Sequence, residues 1–298
     1  MGSPFRLVFY ASSDSLAQAG AERAFRRIEA LNDVLSDYRD GSEINRLSAQ
    51  AGTGEWVPVS QDLGEVLRLA RTLSARTQGT FDPTVGPAVQ LWRRAMRRGT
   101  FPAQTEIRAL RRKIGYRYLH VDSTRQRVRL LRKGMRLDVG GIGKGYAADE
   151  AVALLREMGI RSVLVDAGGD LTLGDPPPGQ AGWTITVESG TEPDPRSSTT
   201  QILTLANVGV ATSGANYRYL EYRGKRYSHI VNPRTGVGLL YHVRTTVIAE
   251  DGTQADALAT ALSVAGIRRG KKLLKRFPSA RVWVLEMKEE KVRSWKTL

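Results

Sequence analysis

Apolar residues recur along this chain with two periods, and the switches between them mark out its elements. Phe5-Arg6-Leu7-Val8-Phe9-Tyr10 reads as an opening strand, and from Ser13 to Leu35 the residues Leu16, Ala24, Ile28, Leu31 and Leu35 fall at helical spacing behind a Ser13 or Asp14 cap. Trp56 to Val59 is a short extended piece. Ser60 then caps a helix whose apolar face is Leu63, Val66, Leu67, Ala70 and Leu73. A basic helical segment and a hairpin-like pair, Tyr118 to Val121 and Arg127 to Leu131, come next. A helix is expected over Ala147 to Met158, closed by Gly159. Strands are expected at Ser162 to Asp166, Leu171 to Leu173, Trp183 to Val187, Gln201 to Leu205, Tyr217 to Tyr222, Tyr227 to Val231 and Val243 to Ile248. The chain ends with a helix from Thr253 to Val264, a basic helix and a hairpin through Val282-Trp283-Val284.

Helices interleaved with mostly hairpin-connected strands predict an α+β fold, with mixed, largely antiparallel sheets and flanking helices, rather than a doubly wound sheet. No repeat, low-complexity run or linker divides the 298 residues, so one domain over 1–298, or two intimately packed lobes, is expected. No run of 18 apolar residues offers a membrane span. The chain has no cysteine, which removes disulfides, thiolate metal sites and cysteine nucleophiles together. A net charge of +15 changes the picture more. Basic residues gather at Arg93-Arg94, Arg97-Arg98, Arg111 to Lys113, Arg125 to Arg136 and Arg268 to Lys275. They lack interleaved stacking aromatics and a recognition-helix pattern, so no nucleic-acid partner is expected; a solvated basic face accounts for them, with an acidic membrane surface or an anionic substrate as the alternatives.

Candidate chemistry centres on Asp138-Val139-Gly140-Gly141-Ile142-Gly143-Lys144-Gly145-Tyr146, echoed by Asp166-Ala167-Gly168-Gly169-Asp170. Glycines before a helix let the backbone approach a ligand closely, and the helix N-terminus offers free N–H groups to a phosphate. Neither common phosphate motif fits. Gly145 follows Lys144 where a P-loop needs Ser or Thr, and Gly141, Gly143 and Gly145 are spaced by two where a dinucleotide fingerprint needs Gly-x-Gly-x-x-Gly. A phosphate cradle and a plain helix-capping turn both remain open. Among three histidines, His120 and His242 sit in strand-like runs and read as structural. His229 instead stands where a strand meets the turn Asn232-Pro233-Arg234-Thr235-Gly236. Asp256 and Thr260, one helical turn apart, offer two hard oxygens suited to Mg²⁺ or Ca²⁺; a dipole-favoured Asp with a back-bonding Thr is the alternative.

Taken in order, Met1 to Phe5, Leu35-Ser36-Asp37-Tyr38, Ser42-Glu43-Ile44, Gly79-Thr80-Phe81-Asp82-Pro83-Thr84, Asp138 to Gly145, Val210 to Gly214, His229 to Gly236 and Asp256 to Thr260 closely resemble the ApbE family of FAD:protein FMN transferases. The resemblance implies Mg²⁺-dependent cleavage of FAD, with FMN passing to a Thr or Ser of an acceptor flavoprotein and AMP released. It implies FAD contacts at Met1, Tyr38, Thr80, Phe81, Asp82, Asp138, Lys144 and Ile230. Metal ligands are implied at Asp256, Thr260 and the Gly141 carbonyl, and a general base at His229. Three positions depart from the usual pattern: Asn232 for Asp, Gly143 for Ala and Ser3 for Thr. Of these, Asn232 is expected to alter polarity around His229. Two rival readings share the residues: a Mg²⁺-dependent FAD pyrophosphatase, and a flavin carrier without turnover. Location at the cell envelope or periplasmic face follows from the resemblance if a leader or lipid anchor has been trimmed, and a cytoplasmic one otherwise.

Overall fold

The computed structural model describes residues 3–188, 200–214, 219–288 and 291–297. The first half holds β1 (Phe5–Phe9), α1 (Asp14–Leu35), α2 (Glu43–Ala49), β2 (Val57–Pro58), α3 (Gln61–Arg76), α4 (Gly86–Arg98), α5 (Gln104–Arg111), β3 (Leu119–Asp122) and β4 (Arg127–Leu130). Then come α6 (Gly143–Glu157), β5 (Val163–Ala167), β6 (Leu171–Leu173), β7 (Trp183–Glu188), β8 (Thr200–Leu205), β9 (Val208–Gly214), β10 (Tyr219–Tyr222) and β11 (Lys225–Ser228). The chain closes with β12 (Val231–Asn232), β13 (Val237–Gly238), β14 (His242–Ala249), α7 (Gly252–Leu274), β15 (Arg281–Lys288) and β16 (Lys291–Lys296).

Seven strands form the main sheet in the order β1-β5-β6-β9-β14-β15-β16, and every neighbouring pair is antiparallel. The α+β expectation therefore holds. Helices α6 and α7 lie against this sheet, α7 chiefly over β9 and β14 and α6 over β5. Their facing positions are alanines: Ala147, Ala148 and Ala151 on α6, and Ala255, Ala257, Ala259 and Ala261 on α7, all essentially inaccessible. Small side chains let the helices approach the sheet and each other closely, which turns out to set the geometry of the site. A continuous core links them to α3 through Leu63, Val66, Leu67 and Ala70, and to α1 and α2 through Leu31, Leu35, Ile44 and Leu47. Burying each of the larger of these side chains stabilises by about 1.5–3 kcal/mol.

Several elements depart from the sequence expectation for physical reasons. The α6 helix starts at Gly143, four residues earlier than its apolar spacing suggests, so Lys144 and Gly145 lie in its first turn. The run from Tyr227 to Val231 is two strands, β11 and β12, because the Ser228 hydroxyl accepts the Ile230 N–H at 3.0 Å and bends the backbone at His229. The final two helices are one element, α7, kinked at Gly266 with φ 68°. Its polar start hid α2, which follows the turn ending at Ser42; that side chain accepts from Asn45 N at 3.4 Å. The central strand β9 escaped notice because its core half, Val208 to Ala211, is short and runs into Thr212-Ser213-Gly214. Part of the expected Tyr217 to Tyr222 strand lies outside the described residues; β10 covers Tyr219–Tyr222.

Candidate active site

The ends of several elements converge on one cleft of about 810 Å³. Its walls are Tyr38 from the turn after α1, Thr80, Phe81 and Asp82 from the turn after α3, and the Asp138–Lys144 glycine segment. The remaining walls are the end of β9, the His229–Ile230 bend, and the face of α7 that carries Asp256 and Thr260. Every site residue expected from the sequence lines this cleft except Met1, which lies outside the described residues.

The floor is built by backbones packed through glycine. A Cβ on Gly145 would sit 2.1 Å from the Gly252 carbonyl oxygen, and one on Gly209 2.2 Å from Asp251 backbone atoms, so the head of α7 wedges between α6 and β9. Asp149 then fastens it. Its Oδ1 accepts from Gly252 N and the Thr172 hydroxyl, each at 2.8 Å, and its Oδ2 accepts from Thr253 N at 2.8 Å and the Thr253 hydroxyl at 2.5 Å. This wedge brings Gly145 N to Asp256 Oδ2 at 3.3 Å and holds Lys144 Nζ 3.9 Å from Asp256 Oδ1. On its other side Lys144 is ion-paired with Asp170, whose Oδ1 accepts the Thr212 N–H at 3.0 Å. One ammonium thus serves two buried carboxylates. Burial pushes the Asp256 carboxyl upward, and Lys144 offsets part of that rise.

Gly141 meets the same face of α7: a Cβ there would stand 2.7 Å from Thr260 Oγ1. Asp256, Thr260 and the Gly141 backbone are therefore within one small volume, all hard oxygen donors. Among the described residues no group of three or more His, Cys, Asp or Glu side chains could hold an ion alone. A mixed set that leaves positions for substrate oxygens is what Mg²⁺ accepts, and the donors present fit it.

At the other wall, the Asp138 Oδ1 accepts the Gly140 N–H at 2.8 Å, and Arg93 reaches Asp138 Oδ2 at 3.3 Å while also pairing with Asp37. Burial and the nearby Asp37 charge push the Asp138 carboxyl upward; Arg93, the Gly140 N–H and Arg136 pull it back. The same Arg93 guanidinium lies 4.1 Å over the ring of Tyr38, which is 60% exposed and faces the cleft. Cation–π contact at this distance fixes the ring plane. Sequence reasoning placed Arg93 only in a basic run, quoted Asp37 and Asp170 within motifs without giving them a role, and passed over Asp149. A helix-borne arginine gives no local signal of the carboxylates it will meet.

Two expected contacts have their side chains committed elsewhere. Asp82 Oδ1 accepts from Thr84 N at 2.9 Å and from the Thr84 hydroxyl at 2.6 Å, while Oδ2 accepts from Tyr116 N at 2.9 Å. Burial raises its carboxyl, and those three donors counter the rise. The Thr80 hydroxyl donates to Thr77 O at 2.9 Å. These groups shape the turn that lines the cleft, and Phe81 in it is buried as part of the main core.

His229 is exposed and lines the cleft. Its bend is held on both sides, by Ser228 N to Leu239 O and Leu239 N to Ile230 O at 2.9 Å each. Behind it, Trp92 stacks on Tyr227 at 5.4 Å and donates its indole N–H to Gly236 O at 2.8 Å. Asn232 Oδ1 accepts the Arg234 N–H at 2.9 Å, a turn contact that an Asp carboxylate would make equally. His120 pairs within the β3–β4 ladder opposite Arg129, and His242 starts β14, where burial and Arg226 lower its pKa.

Comparison with known proteins agrees with this architecture. The ApbE family profile matches residues 1–284. The FAD:protein FMN transferase of Escherichia coli K12 is 29% identical over 279 residues, covering 92% of this chain and 78% of its own length. That of Treponema pallidum is 33% identical over 276 residues, covering 87% and 75%. Among solved structures, the flavinyl transferase ApbE of Pseudomonas stutzeri superposes with a TM-score of 0.86 at 28% identity, covering all of this chain and 92% of its own. The flavin transferase ApbE of Vibrio cholerae gives 0.85 at 27% identity, covering 99% and 94%. Profile, relatives and superposition each span nearly the whole chain, cleft included: the chain belongs to the ApbE family.

Proposed function

We propose that this protein is an FAD:protein FMN transferase: it takes FAD and an acceptor protein, joins FMN through a phosphoester to a Thr or Ser hydroxyl, and releases AMP. The reading is carried by one observation, that Lys144, the Asp256–Thr260–Gly141 oxygen set and His229 share a single cleft although they are scattered along the sequence. The names of its relatives point the same way.

The pyrophosphate of FAD is received beside the first turn of α6, where the positive end of the helix dipole and Lys144 favour anions. Asp256, Thr260 and the Gly141 carbonyl would hold Mg²⁺, which supplies Lewis-acid polarisation of phosphoryl oxygens when bound. His229 accepts the proton of the acceptor hydroxyl as that oxygen bonds to the FMN-side phosphorus. The bridging P–O bond breaks with its electron pair going to AMP, and His229 returns its proton to solvent. Lys144 offsets the charge that develops on the phosphoryl oxygens. Tyr38, steadied by Arg93, offers an aromatic face to the flavin or adenine ring.

The exposed position of His229 also admits water, which gives the pyrophosphatase reading a physical basis. Incubation with FAD and Mg²⁺, with and without an acceptor flavoprotein, separates the readings. Transfer predicts AMP together with an FMN mass gain on the acceptor at a Thr or Ser. AMP and free FMN with no mass gain on any acceptor assigns hydrolysis instead, and bound FAD without AMP assigns a carrier. Among the described residues no helix is long and apolar enough to cross a membrane.

A further inference from the structure

Helix α4 separates two cavities. Its Val89 and Arg93 face the flavin cleft, whereas Leu91 and Arg94 line a second cavity of about 680 Å³, completed by α2, α5 and residues 133–136. Four cations surround this second space: Arg94, Lys113, Lys133 and Arg136. The one acid in its wall, Glu106, has Oε2 engaged with the Ala103 N–H at 3.0 Å at the head of α5. Among the described residues none of the four cations belongs to an ion pair, while their neighbour Arg93 has two.

The cations are presented, not merely scattered. Arg136 is held by neutral oxygens, Asn45 Oδ1 at 2.8 Å and, with the Gln90 amide turned to present its oxygen, that oxygen at 3.0 Å; its orientation is fixed, and Asp138, whose carboxyl it influences, lies beyond ion-pair distance. The segment carrying it is pinned backbone to backbone, since a Cβ on Gly52 would stand 2.4 Å from the Lys133 backbone. The Lys113 stem lies across Gly134, where a Cβ would meet its Cε at 3.1 Å. Beneath them the floor is apolar, with Leu91 and Met135 buried. Like charges gathered over low-dielectric walls raise one another's potential, and a concave arrangement focuses it on whatever enters. The volume is that of a small-molecule site, and its lining contains no aromatic side chain on which a nucleic-acid base could stack.

We propose that this cavity binds a small multivalent anion of the polyphosphorylated class, at a site separate from the flavin cleft. Its phosphates pair with the four cations and its organic body rests on the Leu91–Met135 floor.

The test is calorimetric titration with inorganic tripolyphosphate in metal-free buffer, with FAD saturating so that the first cleft is filled. The wild-type chain should bind one saturable equivalent. The pair Lys113→Gln and Lys133→Gln should weaken it at least tenfold. The pair Arg268→Gln and Lys272→Gln, on exposed positions of α7, removes the same charge elsewhere and should leave it unchanged. Equal weakening by both pairs, or no saturation below millimolar, overturns the site in favour of general charge attraction. A poly-glutamate peptide that binds there more tightly than tripolyphosphate would make it a docking site for an acidic protein segment, and the proposal would fail. If FAD does not occupy the first cleft, a second equivalent appears that Lys113→Gln and Lys133→Gln leave untouched, so the two readings fail separately.

Discussion

Replacing Asp149 by alanine tests whether the head of α7 is fastened as the structure indicates. The substitution removes the acceptor of four donors, two of them backbone N–H groups that have no other partner in the wedge. Orphaning each backbone group costs about 1–3 kcal/mol. Against this stands the cost of holding the carboxylate ionised in an enclosed place. Burial pushes Asp149 up from 3.8 to about 6, with Asp251 adding to the rise while Thr253 and Thr172 moderate it. That shift corresponds to about 3 kcal/mol at neutral pH. The two effects largely offset, so the variant should lose only about 1–2 kcal/mol near pH 7.5. Their pH dependence differs, however. The folded chain keeps this proton to a higher pH than the unfolded chain does, so the contribution of Asp149 is greatest below the ordinary carboxylate range and declines as pH rises through 6. Between about pH 7.5 and pH 5 the wild type regains about 1.5 kcal/mol that the variant cannot. Urea unfolding of both proteins at the two pH values, followed by tryptophan fluorescence, measures the difference with other titrating groups cancelled. A gap that stays constant or narrows at pH 5 refutes the reasoning, and would mean that the four donors hold the carboxyl at or below its usual value.

Three further outcomes are expected. Gly145→Ala forces a methyl against the Gly252 carbonyl, where neither side can yield, and should destabilise by about 3 kcal/mol, the upper end of overpacking; an unchanged melting temperature would show that α6 and α7 separate freely. His229→Ala should lower the rate of FMN transfer by about 10²–10⁴-fold with thermal stability intact, because the side chain is exposed; transfer at the wild-type rate removes the general-base role. Asp256→Ala should raise the Mg²⁺ concentration needed for half-maximal AMP release by at least about tenfold, by analogy with the loss of a metal-orienting group; a magnesium titration superimposable on the wild type would take Asp256 out of the metal set.

Local patterns in the chain carried a good deal of this. Helical spacing located α1 and α3, alternation and turn residues located the β3–β4 and β15–β16 hairpins, and the ordered motifs named the residues that line the cleft. Those signals are legible because periodicity and turn chemistry act between residues a few positions apart. What the sequence could not display is which distant groups meet. Gly145 and Asp256 are 111 positions apart, and only the antiparallel order of the main sheet, with β9 at its centre, brings α6 and α7 together. Asp170 looked like the end of a glycine turn until the fold set it beside Lys144, and Arg93 looked like one of many surface arginines until α4 carried it between Asp37 and Asp138. The glycines divide in the same way. Their presence marked a close approach, but the sequence suggested a ligand, whereas Gly145 and Gly209 meet other backbone, and Gly141 lies against Thr260, a side chain that lines the cleft. Residue types and short spacings fix the chemistry available to this chain; the pairing of those groups depends on packing that closes over a hundred residues or more, and is decided only in the folded molecule.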